Sequence, residues 1–121
     1  MNLNKYAAIN ETYVFVFNEI HEWEWYDDSA VRSVAMAILE EASLQQTSIP
    51  ANQIPKGAAC LSYEELARKA GLKDARRAVK KLVDSGDLTV GPSLYGREKK
   101  LFQTSCWVDG IEVVPNGGRV H

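Results

Sequence analysis

Five cations between Lys73 and Lys81 are the residues with the clearest chemistry in this chain. At about 100° per residue, Lys73, Arg76, Arg77, Lys80 and Lys81 cover one arc of a helix. Ala75, Ala78, Val79, Leu82 and Val83 cover the opposite arc, and no cation falls within it. A helix that buries one side and offers cations on the other is suited to water or to a polyanion. Ammonium and guanidinium groups neutralise phosphates, and arginine can also bond guanine through two donors at once. Taken alone, such a helix reads more simply as a solvated basic face. What surrounds it shifts the reading toward a polyanion.

Reaction chemistry has no comparable support. The acidic pairs Asp27/Asp28 and Glu64/Glu65 stand at expected helix starts, where carboxylates suit the positive end of the helix dipole. No Ser/His/Asp or Cys/His set can be assembled from spacing, and Gly91 and Gly96 read as hairpin turns without a phosphate-loop pattern. No catalytic residue is assigned and no enzymatic role is expected. His21, His121, Cys60 and Cys106 have no metal-ligand spacing, so neither metal nor cofactor is expected. Each cysteine lies in a strand-like context and reads as a small buried hydrophobe.

The elements that must position the cations are readable around them. Ser62-Tyr63-Glu64-Glu65 is a capping box, with Leu61 and Leu66 spaced as a hydrophobic staple. The helix it opens shows Leu66, Ala67 and Ala70 on one side and stops at Gly71, a residue type that tolerates the left-handed position. The basic helix runs from about Lys73 to Ser85 and stops at Gly86 for the same reason. Leu88 to Val90 and Leu101 to Trp107 are strand candidates. Between them lie the turn residues Gly91, Pro92, Ser93 and Gly96, and then Arg97, Lys99 and Lys100. Helix, turn, helix and a hairpin with a basic tip is the layout of a winged helix-turn-helix. It is an α+β fold in which the second helix enters the major groove and the wing follows the backbone.

Upstream, Glu11 to Phe17 reads as a strand after a patternless Met1–Asn10. Asn18 to Asp28 crowds Trp23, Trp25 and Tyr26 among acids, which suits either core packing or a partner surface. Val31, Val34, Ala35, Ile38, Leu39 and Ala42 form the stripe of a helix over Ala30–Leu44, with Asp27, Asp28 or Ser29 as its cap. Gln45 to Lys56 reads as a loop, and Gly57 to Leu61 as a short strand. Ile111 to Val114 reads as an edge strand ahead of a frayed tail. The expected organisation is one winged-helix domain over 1–107, made of an extension 1–28 and a core 29–107, then an edge segment and tail over 108–121. No signal peptide or membrane-spanning run is visible, so a cytoplasmic protein is expected. The formal net charge is −2 and the pI about 5.7. A basic face on an acidic chain suits a defined footprint better than a general nucleic-acid coat.

The runs WEWYDDSAVRSVAMAILEEAS and IPKGAACLSYEELARKAGL, followed by a basic helix and GDLTV, resemble the N-terminal winged-helix domain of phage and plasmid replication proteins of the DnaD type. The likeness covers roughly residues 13–105. It implies a DNA-binding or replisome-organising role. It puts Lys73, Arg76, Arg77 and Lys80 at recognition-helix positions, and Arg97, Lys99 and Lys100 in the wing. The turn Gly71–Arg76 is shorter than the family's, and no Asn, Gln, Ser or Thr precedes Ser85 on the basic helix. The expected partner is double-stranded DNA, with helix 73–85 in the major groove and wing 91–100 on phosphates. The alternative is an adaptor that binds a replisome or host protein through Trp23, Trp25 and Tyr26. A homodimer is common among helix-turn-helix proteins on palindromic sites, yet no dimerisation helix is visible beyond the first one.

Overall fold

The computed structural model describes residues 3–10, 13–48, 54–92 and 98–109. Within them lie three α-helices and two small antiparallel sheets, a mixed α+β arrangement. Strands β1 (Ala7–Asn10) and β2 (Tyr13–Val16) form the first sheet, with Ala7 opposite Val16 and Asn10 opposite Tyr13. The sequence had offered one strand here, after a patternless start. Alanines have little strand preference of their own, so β1 exists through its neighbours. Its far edge is held by Cys106–Val108: the Ile9 amide donates to the Cys106 carbonyl at 2.9 Å, and the Val108 amide to the Ile9 carbonyl at 2.9 Å.

A 3-10 turn over Asn18–Glu22 leads through Trp23 to α1, Ser29–Ser48. Asp28 caps α1, accepting from the Val31 amide at 3.1 Å. All six residues of the expected stripe are buried to 1% exposure or less. The helix runs a turn past the expected end at Leu44. Gln45 is drawn into it because its side chain completes β3. Its Nε2 donates to the Cys60 carbonyl at 3.0 Å, and its Oε1 accepts from the Cys60 amide at 2.6 Å.

Strand β3 (Ala58–Ser62) runs directly into α2 (Tyr63–Ala70). The capping box forms as expected, with both Ser62 and Glu65 bonds at 3.0 Å, and Gly71 ends the helix at φ 73°. Helix α3 is Arg76–Asp84, shorter than the expected 73–85. Asp74 stops its start from extending backward, accepting from the Arg76 amide at 3.0 Å. Lys73 therefore lies on the preceding turn, not on the helix. Val83, expected on the buried side, is 40% exposed at its margin.

Strands β4 (Thr89–Pro92) and β5 (Lys99–Gln103) complete the second sheet, in the order β3-β5-β4. Both strands differ from expectation. Gly91 and Pro92 belong to β4, an edge strand where proline is tolerated. Strand β5 starts at Lys99 because β3 pairs with it from Ser62 onward, Ser62 opposite Lys99 and Leu61 opposite Lys100. The core lies between α1 and this sheet, with Ile38, Leu39, Leu61, Leu66, Leu82 and Phe102 at its centre. Ile54, Ala58 and Cys60 pack on Leu101 in a smaller cluster. Both cysteines are buried, and neither forms a disulfide among the described residues. The expected edge strand Ile111–Val114, the tail and the hairpin tip 93–97 lie outside the described residues. Among those residues, no helix is long and apolar enough to cross a membrane.

Candidate nucleic-acid interface

Helix α3 turns Ala78, Val79 and Leu82 into the core. Arg76, Arg77 and Lys80 are exposed on the other side, with Lys73 exposed just ahead of them. At about 100° per residue Asp84 falls within the same polar arc. Two of the cations have carboxylate partners at the surface. Arg76 meets Asp74 at 3.3 Å and Lys80 meets Asp84 at 3.0 Å, all four side chains more than 60% exposed. Such pairs contribute about 0–1 kcal/mol and open readily. The Asp74 carboxyl sits below its ordinary range, chiefly through the Arg76 amide it accepts from. Among the described residues, Lys73 and Arg77 form no ion pair.

Lys81 is placed differently. Its Nζ lies 2.8 Å from Asp28 Oδ2 and 5.8 Å from the Trp25 ring centre. Asp28 is thereby doubly used, since its other oxygen caps α1. The Lys81 bond is the main reason its carboxyl stays below the usual range, with the Val31 amide next. Lys81 thus holds α3 against α1 at the margin of the cationic face.

The hairpin cations also divide. Lys100 and Arg76 line one shallow cleft of about 330 Å³ together with Ser62, Tyr63, Glu64 and Glu98. The Arg76 guanidinium lies 4.8 Å above the Tyr63 ring, which meets Phe102 edge-on at 5.4 Å. Core packing therefore orients Arg76. Lys99 turns instead to Glu65 at 3.5 Å, across to the cap of α2. Arg97 lies outside the described residues.

Of the N-terminal aromatics, Trp23 is buried, and Trp25 and Tyr26 are half-buried with one side still accessible. Trp23 is 2% exposed, and its Nε1 donates to Asp87 Oδ2 at 3.3 Å. Trp25 Nε1 donates to Ser85 Oγ at 3.0 Å. Arg32 covers the half-buried Tyr26 ring at 4.9 Å. The exposed apolar residues of this region are Tyr13, Val16 and Phe17, on and beside β2. Asp87, which the sequence reading passed over, is 5% exposed and accepts from the Leu3 amide at 3.0 Å and from Ser85 Oγ at 3.1 Å as well. An aspartate following a helix-ending glycine carries no sequence signal for that role.

Among the described residues, no group of three or more His, Cys, Asp or Glu is placed to hold a metal ion. Burial pushes the Cys106 thiol up to about 11, away from thiolate chemistry at neutral pH. What the site assembles is cationic and apolar surface around one short helix. Comparison of the chain with protein-family models, curated proteins and solved structures finds no match.

Proposed function

We propose that this chain is a double-stranded DNA-binding protein on a winged helix-turn-helix scaffold, acting in replication or transcription of a phage or other mobile element. The observation that carries the reading is the wiring of the second sheet to the helices. The order α1, β3, α2, α3, β4, β5, with β5 between β3 and β4, matches that of a winged helix. In such a fold the exposed cations of α3 would stand on the side that meets DNA, which supports the reading.

In this reading α3 enters the major groove with Arg76, Arg77 and Lys80 toward the duplex. Lys73 contacts phosphate from the preceding turn, and Lys100 reaches the adjacent backbone from β5. Lys81 and Lys99, held by Asp28 and Glu65, contribute less. Most of the affinity is electrostatic, and direct base contact falls to arginine on guanine. The test is fluorescence anisotropy with random-sequence duplex across a salt series, for the native protein and an R76E/R77E/K80E variant. Each phosphate contact adds about 0.9 to the log–log salt slope. The native protein should show a steep slope, and the variant should lose binding. Undiminished affinity in the variant would overturn the assignment of α3.

The exposure of Tyr13, Val16 and Phe17 supports a second reading, a protein-interaction adaptor on the same scaffold. In that case the triple variant would leave partner capture intact, and Y13S/F17S would abolish it.

A further inference from the structure

We propose that the cleft between the start of α1 and α3 receives the apolar side chain of an acidic peptide from a partner protein. Its occupation would exclude duplex DNA, a consequence that rests on the DNA-binding reading above; the peptide site itself does not. The cleft is about 230 Å³, and Ala30, Val31, Leu72 and Ala78 supply its apolar lining. That volume falls below the roughly 300–1,000 Å³ of small-molecule sites. It suits one aliphatic or aromatic side chain.

Charge around the cleft selects what accompanies that side chain. Three cations, Lys73, Arg77 and Lys81, and two carboxylates, Asp28 and Asp74, also line it. Both carboxylates are occupied. Asp28 binds Lys81 at 2.8 Å and the Val31 amide at 3.1 Å, and Asp74 binds the Arg76 side chain and amide. Lys73 and Arg77, exposed and without an ion pair among the described residues, are left to meet a ligand. A basic ligand is repelled, and a neutral one leaves both cations unused. A lone phosphate would find the two cations but no polar group on the apolar lining. Peptide carboxylates flanking an apolar residue satisfy both parts at once. Lys73 and Arg77 also belong to the DNA-facing set, so one occupant displaces the other.

The test uses a fluorescein-labelled peptide of aspartates ending in phenylalanine, with a control ending in serine. Anisotropy should show the phenylalanine peptide binding at least about tenfold tighter, equivalent to about 1.4 kcal/mol for burying the ring. It should also displace unlabelled duplex. Ala30→Leu, at a half-buried position on the rim, fills the cleft; L72Q makes its lining polar by a separate route. Either variant with an unchanged melting temperature should lose the tenfold preference and keep DNA binding. Equal affinity for the two peptides, or a preference that survives both variants, would overturn the inference. If duplex fails to bind while the peptide preference holds, the DNA reading falls and the peptide site stands. If duplex binds and the preference is absent, the reverse is true.

Discussion

Replacing Asp87 by alanine should loosen the N-terminal segment from the rest of the molecule. The Asp87 carboxylate accepts from the Leu3 amide at 3.0 Å, the Trp23 indole at 3.3 Å and the Ser85 hydroxyl at 3.1 Å. The hydroxyl has an alternative, since Ser85 Oγ also lies 3.1 Å from the Leu82 carbonyl. The amide and the indole N–H are fixed by the backbone and by a ring that is 2% exposed. Each buried donor left without an acceptor costs about 1–3 kcal/mol, so two cost roughly 2–6 kcal/mol and a middle value is about 4. Against a total stability of about 5–15 kcal/mol, that is a large share. For a chain of this size it corresponds to a fall in melting temperature of very roughly 10–20 °C. Asp87→Asn keeps one acceptor but points an amino group at donors, and should lose a smaller amount. Urea unfolding followed by tryptophan fluorescence measures both. A loss under about 1 kcal/mol for Asp87→Ala would mean that water or another acceptor serves these donors, and the anchoring role would be refuted.

Two further predictions concern stability. Gly57 and Gly71 both hold positive φ, at 85° and 73°, yet a Cβ on Gly57 would lie 2.8 Å from the Thr104 carbonyl oxygen whereas one on Gly71 meets nothing within 4 Å. Gly71→Ala should therefore cost about 1 kcal/mol, from backbone strain alone, and Gly57→Ala about 3 kcal/mol; equal losses in denaturant titration would remove the clash from the account. The Cys106 thiol, raised from 9.0 to about 11, favours the neutral folded form. The stability it contributes is full below pH 9 and is lost as pH rises through about 11, because the unfolded chain gives up its proton first. Cys106→Ala should flatten the decline in stability between pH 9 and 11 measured by thermal melts.

The helical elements were the readable part of the sequence, because their signals are local. The Ser62/Glu65 box, the Gly71 stop and the α1 stripe each depend on residues within a turn or two of one another, and each stands where expected. The strands were less readable because their limits are set by distant partners. Strand β1 needs Cys106 and Val108, and the start of β5 needs Ser62, so neither could be found by periodicity within its own segment. The interface divides the same way. Helical spacing separated the cations from the buried residues of α3, apart from Val83. It could not reveal that Lys81 is already engaged, since Asp28 and Lys81 are 53 positions apart.

That long-range pair changes what the cationic arc can do. The Asp28 carboxylate caps the 20-residue α1 and also holds Lys81. If α3 meets DNA as proposed, moving Lys81 onto a phosphate would leave a partly buried carboxylate facing the duplex, which opposes the gain. The usable face therefore contracts to Arg76, Arg77 and Lys80, with Lys73 on one side and Lys100 on the other. Within it, Arg76 is aimed by the Tyr63 ring and opposed by Asp74, and Lys80 is paired with Asp84, whereas Arg77 has neither kind of constraint among the described residues. A face of this kind has little directional polarity to read bases and enough free charge to grip a backbone. The absence of Asn, Gln, Ser and Thr from α3 leads to the same place. If the chain recognises a particular DNA site, the selectivity must come largely from duplex shape and deformability rather than from base-edge contacts by α3.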